Sequence, residues 1–288
     1  MFARETTNTI ENLSSFIFDR LVCPLSKNKL VIDGDSYLAP CGFRYRNGDF
    51  RIGLDFDTHW ARSQRDYEAV PHGLLATRVA AEWRALIDET NEIYERIRLE
   101  DSVLDVGGAW GLLAQQAGLD RTTFVAVDPI RYRWRELSTS GAFAEAFSNC
   151  AHVCRIQAFA EFLPFDGSFQ WVHMRSCIDY FANPLLALRE AFRILRPDGG
   201  LVVGVALEGA YRRGPLPSWP AIKRLVRRTP IVSSIAERLF DHHIFHSTYD
   251  ALLQLLESGS FSVVKEVWQS QYFNVLYWVA RKEPHFGS

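Results

Sequence analysis

The stretch VLDVGGAWGLLA, residues 103–114, narrows the folds open to this chain more than any other. An apolar run carries an acid near its end, Gly107, Gly108 and Gly111 follow within five positions, and apolar residues then resume. Glycines permit positive φ and let a ligand approach the backbone closely. A helix beginning after such a turn offers unpaired N–H groups. Strand, glycine turn and helix together describe an α/β sheet holding a nucleotide-like ligand at its carboxyl edge.

The rest of the chain agrees with that class. Ser102–Val106, Thr123–Val127, His152–Ile156, Phe169–Met174 and Leu201–Ala206 read as strands. They alternate with helices over Leu112–Ala117, Arg131–Phe147 and Leu185–Leu195. Alternation of this kind indicates a largely parallel sheet. Between Asp66 and Arg98, Leu75, Val79, Trp83, Leu86, Ile87 and Ile93 fall on one helical face. The late strands Phe261–Val267 and Tyr272–Ala280 are too close in sequence for anything but antiparallel pairing. Ser247–Asp250 has capping-box spacing for a helix that ends before Gly259. The predicted fold is α/β: a doubly wound, mostly parallel seven-stranded sheet with its last strand antiparallel, and a small β-rich, ribbon-like N-terminal appendage. We place the appendage at residues 1–60 and the main domain at 61–288, with 207–247 as an insertion forming a substrate lid.

Composition removes several function classes. The net charge of −2 gives no global pull toward nucleic acid. No apolar run approaches the length of a transmembrane segment. Five cysteines, an odd and sparse set, suit free thiols in a reducing compartment, so a soluble cytoplasmic protein is expected.

The glycine turn has an acid partner. Asp128 closes the next strand in FVAVDP, 17 residues beyond Gly111, where a carboxylate can accept both hydrogen bonds of a ribose diol. The turn does not spell G-x-G-x-x-G, since Ala109 and Leu112 stand at the glycine positions, which argues against a dinucleotide and a nicotinamide-linked oxidoreductase. Asp105-x-Gly107-x-Ala109-x-Gly111 resembles the D-x-G-x-G-x-G loop of class I S-adenosylmethionine-dependent methyltransferases. AEFLPFDGSFQWV (160–172), NPLLALREAFRILRPDGGLVV (183–203), FHSTYDALLQLLESGSF (245–261) and NVLYWVARK continue the resemblance in order. It implies S-adenosylmethionine as cofactor. Its methionyl part would lie on the Gly107–Gly111 turn, with Gly107, Gly108, Ala109 and Gly111, and its ribose on Asp128. Phe159, Ala160 and Glu161 would flank the adenine, and Asp105, Pro129 and Arg175 would complete the cofactor set.

This chain departs from the pattern at three places. Ala109 replaces the central glycine, Phe159 stands where many relatives put an Asp on the adenine amino group, and Gln170 replaces an acid. Stacking an aromatic ring on a base is worth about 1–3 kcal/mol, comparable to the lost charged hydrogen bond. Trp110 adds an aromatic residue at the mouth, either in packing or lining the pocket.

LVCPLSKNKLVIDGDSYLAPCGFRYRNGDFRIGL resembles the zinc-ribbon-like domain of the tRNA-methyltransferase-activator family. Such a ribbon needs two C-x-x-C knuckles. Only Cys23 and Cys41 remain, with Ser26 and Leu38 at the partner positions. We expect a ribbon without metal, held by Leu21, Leu30, Ile32, Phe43, Tyr45 and Leu54, serving as a recruiting element or as a lid or dimerisation element.

Two places carry candidate chemistry. RSCIDYF puts Arg175, Ser176 and Asp179 after the fourth main strand, and DHHIFH supplies Asp241, His242, His243 and His246. Asp179, His242, His243 and His246 are the candidate catalytic groups. No metal is expected, and Cys150, His152 and Cys154 read as core. The strand end lacks the N/D-P-P-Y/F signature of DNA amino-group methyltransferases. Lys223–Arg228 forms a basic helix with Trp219, Ile222, Leu225 and Val226 on its apolar side, suited to an anionic or apolar substrate. The expected protein is an S-adenosylmethionine-dependent methyltransferase acting on a small molecule by O- or N-methylation in a biosynthetic pathway. The alternatives are an RNA methyltransferase and a cofactor-binding pseudoenzyme serving as a partner subunit. The oligomeric state is left open.

Overall fold

The computed structural model describes residues 17, 19–46, 49–51, 87–108, 111–116, 123–130, 153–167, 169–208, 247–269 and 274–283. Near the N-terminus, β1 (Val31–Asp33), β2 (Ser36–Leu38) and β3 (Arg44–Arg46) form a small antiparallel sheet. Residues 87–97 are the described part of helix α1. The main sheet begins with β4 (Ser102–Val106), buried at every position, and β5 (Thr123–Asp128), buried except at its ends. Both are mostly apolar because both of their faces are covered, with Asp105 the one acid in the interior of β4. β6 (Cys154–Gln157), β7 (Phe169–Arg175), helix α2 (Pro184–Ile194) and β8 (Leu195–Ala206) follow. Helix α3 (Tyr249–Ser258), β9 (Phe261–Trp268) and β10 (Val275–Lys282) complete the described elements.

The large sheet has the order β6-β5-β4-β7-β8-β10-β9. β4 through β8 run parallel, and β10 lies antiparallel to both β8 and β9. The chain moves outward from β4 to β6 and returns on the other side with β7. The crevice between β4 and β7 is therefore the topological switch point, where sheets of this class receive ligands. Val103, Phe124, Ala126, Trp171, Val202, Tyr277 and Val279 pack on one face with Ile93, Tyr94 and Ile97 of α1. The opposite face carries Leu104, Val125, Val172, Val203 and Trp278 and receives α2, α3 and the N-terminal sheet.

Local chemistry explains the element ends and corrects several expectations. Asn183 caps α2 by accepting a hydrogen bond from Leu186 N at 3.0 Å, with Pro184 in the first turn. The cap of α3 is Thr248 rather than Ser247; its hydroxyl accepts from Ala251 N at 3.3 Å. The helix expected at Leu112–Ala117 is a 3₁₀ turn over Leu112–Gln115, because Gln116 has already turned to extended backbone. β8 begins at Leu195, ahead of the expected Leu201, with a register shift against β7 between Phe169 and Trp171. The expected helix at 131–147, the start of the helix over 66–86, Leu54, Cys150, His152 and the basic stretch of the 207–247 insertion lie outside the described residues.

The N-terminal sheet shares the large core. Tyr37 and Tyr45 tilt against Phe50, with ring centroids 5.6 and 5.2 Å away, and all three are buried. Ile32 and Phe43, expected inside, are exposed. Ile32 pairs with Tyr37 across β1 and β2, but β1 is the edge strand and extends past the surface that covers Tyr37 and Tyr45. Val22 N donates to Pro164 O at 3.0 Å, and Phe50 N donates to Gln157 O at 2.7 Å. Glu190 on α2 joins three segments: it accepts from Lys27 Nζ at 2.5 Å, Leu163 N at 3.0 Å and Arg193 Nε at 2.9 Å. No helix among the described residues is long and apolar enough to cross a membrane.

Candidate active site at the carboxyl edge of the sheet

The glycine turn leaves β4 at the switch point. Gly107 N donates to Val127 O at 2.8 Å, carrying the pairing with β5 one residue past the strand. Gly107 has φ +75°, and a Cβ there would lie 2.8 Å from Cys177 Cβ. A Cβ on Gly108 would lie 2.0 Å from Asp105 Oδ2. Gly111 is left-handed at the start of the 3₁₀ turn. Side chains at 107 and 108 would fill the space on which the turn closes, so this chain has the bare backbone a cofactor cradle needs. Ala109 and Trp110, inside the turn, lie outside the described residues.

Asp128 ends β5 half-exposed, and its Oδ1 accepts from Ile130 N at 2.8 Å, which fixes the carboxylate in a turn. Pro129 O accepts from Arg51 Nη1 at 3.1 Å, and Arg51 also grips Asp49 through Nε at 2.9 Å and Nη2 at 2.7 Å. The N-terminal segment therefore reaches the edge where Asp128 stands. Its contact there was not apparent from the sequence, in which Asp49 and Arg51 resemble any charged turn.

Phe159, Ala160 and Glu161 are buried at a second 3₁₀ turn, Ala160–Phe162. Glu161 Oε1 accepts from Asn183 N at 3.1 Å, and burial raises its carboxyl above the usual range despite backbone N–H groups that oppose this. Gln170 N donates to Ser102 Oγ at 3.1 Å, and its amide reaches Asp198 O at 3.3 Å. Position 170 is thus occupied in joining strand ends, away from the carboxyl edge.

On the far side of the crevice, β7 ends at half-buried Arg175. Ser176 follows with φ +51°, and its N donates to Gly204 O at 2.7 Å. A non-glycine residue held there is a local strain of the kind found beside ligand sites. Asp179 lies in the 3₁₀ turn Ile178–Tyr180. Burial holds the Cys177 thiol well above its ordinary value, and the carboxylates of Asp179, Asp105, Asp128 and Glu161 add to this. Those four acids bring negative potential to the carboxyl edge, which suits a ligand with a cationic centre and a diol. His242, His243, His246 and Asp241 lie outside the described residues.

The structure adds residues that the sequence reading passed over. Asp105 Oδ1 lies 2.7 Å from His173 Nδ1, and His173 Nε2 lies 2.9 Å from the Tyr94 hydroxyl. Asp105 and His173 are register partners on β4 and β7. Their parity was a usable signal: His173 is a lone ionisable residue in the buried run WVHM, two positions before Arg175.

In the N-terminal sheet, Cys23 Sγ lies 3.6 Å from Cys41 Sγ and 3.2 Å from the Tyr45 hydroxyl. Burial alone would raise the Cys23 thiol. Hydrogen bonds from Ser26, Tyr45 and the Leu25 backbone reverse this and bring it to about 7. Cys154 on β6 is pushed up to about 12 by burial. Among the described residues no group of three or more His, Cys, Asp or Glu side chains is placed to hold a metal ion.

Comparison with known proteins agrees with this architecture. A family model described as a methyltransferase domain matches residues 76–266. An S-adenosylmethionine-dependent methyltransferase of Leishmania major superposes with a TM-score of 0.54 at 13% identity, covering 85% of this chain and 96% of that one. One from Thermotoga maritima gives 0.53 at 18% identity, covering 77% of this chain and all of the other. A Haloferax volcanii complex of a methyltransferase with the Trm112 activator gives 0.50 at 15% identity, covering 72% and 97%. At these identities the likeness is one of fold. No curated protein matches the chain.

Proposed function

The chain belongs to the methyltransferase-domain family, and from that premise we propose that it methylates a small molecule on oxygen or nitrogen within a biosynthetic pathway. The observation that carries the choice of a small acceptor is the docking of the N-terminal sheet. Phe50 and Arg51 are tied to Gln157 and Pro129 at the carboxyl edge. A segment built into that edge narrows the mouth of the site. An arm recruiting RNA would present a basic surface instead, and the chain carries a net charge of −2.

S-adenosylmethionine is the cofactor, and it supplies an electrophilic methyl group on a sulfonium. In our reading Gly107, Gly108, Ala109 and Gly111 bear the methionyl part. Asp128 takes the ribose diol, and Pro129, Phe159, Ala160 and Glu161 surround the adenine. The four carboxylates at the edge favour the sulfonium charge. The protein's work is then alignment and exclusion of water, with the N-terminal segment bordering the site, and we assign the role of lid to the 207–247 insertion. An acceptor that loses a proton needs a base only if its own pKa is high. Asp179, His242, His243 and His246 are the groups we assign to that task.

Two measurements test the reading. Calorimetry with S-adenosylhomocysteine should show binding that Asp128→Ala weakens by about 1.5–3 kcal/mol, the worth of a charge-assisted hydrogen bond. Labelled methyl transfer should then be followed into a deproteinised small-molecule extract and, separately, into total RNA. Label in the small-molecule fraction is the expected outcome, and label confined to RNA would overturn the acceptor class.

A further inference from the structure

Of the Asp105–His173–Tyr94 chain only the charge of Asp105 enters the chemistry above, yet the whole chain sits where apolar side chains would be expected. The three residues are 5%, 1% and 3% exposed among Ile93, Val103, Phe124 and Val202. Burying such groups is costly unless each finds its partner. Here each does, and the partners lead in one direction. Arg175 hydrogen-bonds Tyr94 and lies beside Tyr277. A guanidinium only donates, so the Tyr94 oxygen accepts from it. The single Tyr94 hydrogen is then available to His173 Nε2, and Nδ1–H donates to Asp105. Tyr277 also hydrogen-bonds Tyr94, and the chain runs from Asp105 through His173 and Tyr94 to Arg175.

The other side of Arg175 is equally defined. Gly204 is its register partner on β8, and Tyr277 pairs with Gly204 from β10. A Cβ on Gly204 would come within 2.5 Å of the Tyr277 ring, so the missing side chain is what lets that phenol lie across β8 toward Arg175. Burial and nearby charges raise both phenols above their ordinary range, so they remain protonated. Arg175 stands one residue beyond the Val106–Met174 pair, across the crevice from the Gly107 turn. The carboxylates of Asp105 and Glu89 lie near it, and the four that suit a cationic ligand surround Cys177, two residues on. A zwitterionic ligand also has an anionic end, and Arg175 is the cation that the described residues bring to this side of the crevice.

We propose that Tyr94, His173 and Tyr277 are positioning residues that hold Arg175 as a carboxylate-binding group, and that the carboxylate is the one at the cofactor's methionyl end. The proposal rests on the cofactor and is independent of the acceptor.

The test compares S-adenosylhomocysteine with its decarboxylated form, S-adenosyl-3-thiopropylamine, by calorimetry on the full chain. Arg175→Ala should weaken the first by about ten- to a hundredfold and leave the second within about twofold. Tyr94→Phe keeps the ring and removes only the hydroxyl. It should weaken S-adenosylhomocysteine by roughly three- to tenfold with the same selectivity, and Arg175→Lys should restore part of the loss because charge returns without the planar fork. A purely structural role would make Tyr94→Phe weaken both ligands equally, and that result overturns the positioning claim. An unchanged ratio in Arg175→Ala overturns the assignment to the cofactor. If that variant also loses benzoate binding by the S-adenosylhomocysteine-saturated protein, the carboxylate belongs to the acceptor instead. Failure of wild type to bind either adenosyl ligand would sink the proposal together with the cofactor reading, and is distinguishable from all of these.

Discussion

The two ends of the Lys27–Glu190 ion pair should differ sharply in what their removal costs. Glu190 is 9% exposed and accepts from Leu163 N, Arg193 and Lys27, so it serves three segments at once. Glu190→Ala strips the partner from a buried backbone N–H, a loss of about 1.5–3 kcal/mol. It also leaves two cations uncompensated. Lys27 and Arg193 are about a third exposed, so water screens them and adds only about 1 kcal/mol. The expected total is about 2.5–4 kcal/mol, or roughly 5–16 °C in Tm at 2–4 °C per kcal/mol. Lys27 behaves differently. Burial lowers its pKa even against the pull of Glu190, so the ammonium recovers less than its desolvation cost. Lys27→Met keeps the stem and should cost less than about 1 kcal/mol. Urea titrations of both variants, followed by circular dichroism with m-values compared, give the two numbers. Equal costs at the two ends would refute the reasoning, since the ion pair alone would then hold the N-terminal sheet.

Two further outcomes are expected. Gly107→Ala forces a side chain onto φ +75° and to within 2.8 Å of Cys177 Cβ; strain and overpacking of about 2–4 kcal/mol should lower Tm and abolish S-adenosylhomocysteine binding in calorimetry, and retained binding would show that the turn is not the cradle. Glu161→Gln should gain in relative stability as pH rises. The folded carboxyl titrates above the ordinary glutamate range because it is buried, so the wild type loses stability as pH rises from that range through its folded pKa, while the amide does not. Unfolding titrations at pH 4 and pH 7 check the sign, and a variant that loses ground at the higher pH would contradict it.

The centre of the sheet was plain in the sequence because its physics is local. β4 and β5 are mostly apolar runs covered on both faces, and the helix bounds follow from Asn183, Pro184 and Gly259. The early start of β8 was hidden by RPDGG, a turn-forming string that pairs with β7 only through a register shift. Ile32 and Phe43 misled because a three-stranded sheet has one covered face and a free edge, and hydrophobicity does not say which strand is the edge. The placement of Gly107, Asp128 and Arg175 along one edge was legible, since Gly107 follows β4 and the other two end β5 and β7 of the same parallel sheet. Tyr94 and Tyr277 were not, because they meet from segments 183 residues apart and depend on the absent side chain of Gly204. Arg51 at Pro129 is likewise a tertiary contact without a local signal.

The single Asp49–Gln157 bridge and the Phe50–Gln157 bond lie along β6, the outermost strand on that side of the large sheet. An outermost strand offers unpaired amides and carbonyls to any passing chain, and proteins blunt this exposure by cover, charge or irregularity. β9, at the opposite border, carries exposed Lys265 and Glu266, and its pairing with β10 is interrupted between Val279 and Ala280. The β6 border depends on cover from the chain's own N-terminal segment. Trimming that segment to obtain a smaller catalytic unit would therefore uncover a template for intermolecular strand addition at the same time as it removes one wall of the proposed site.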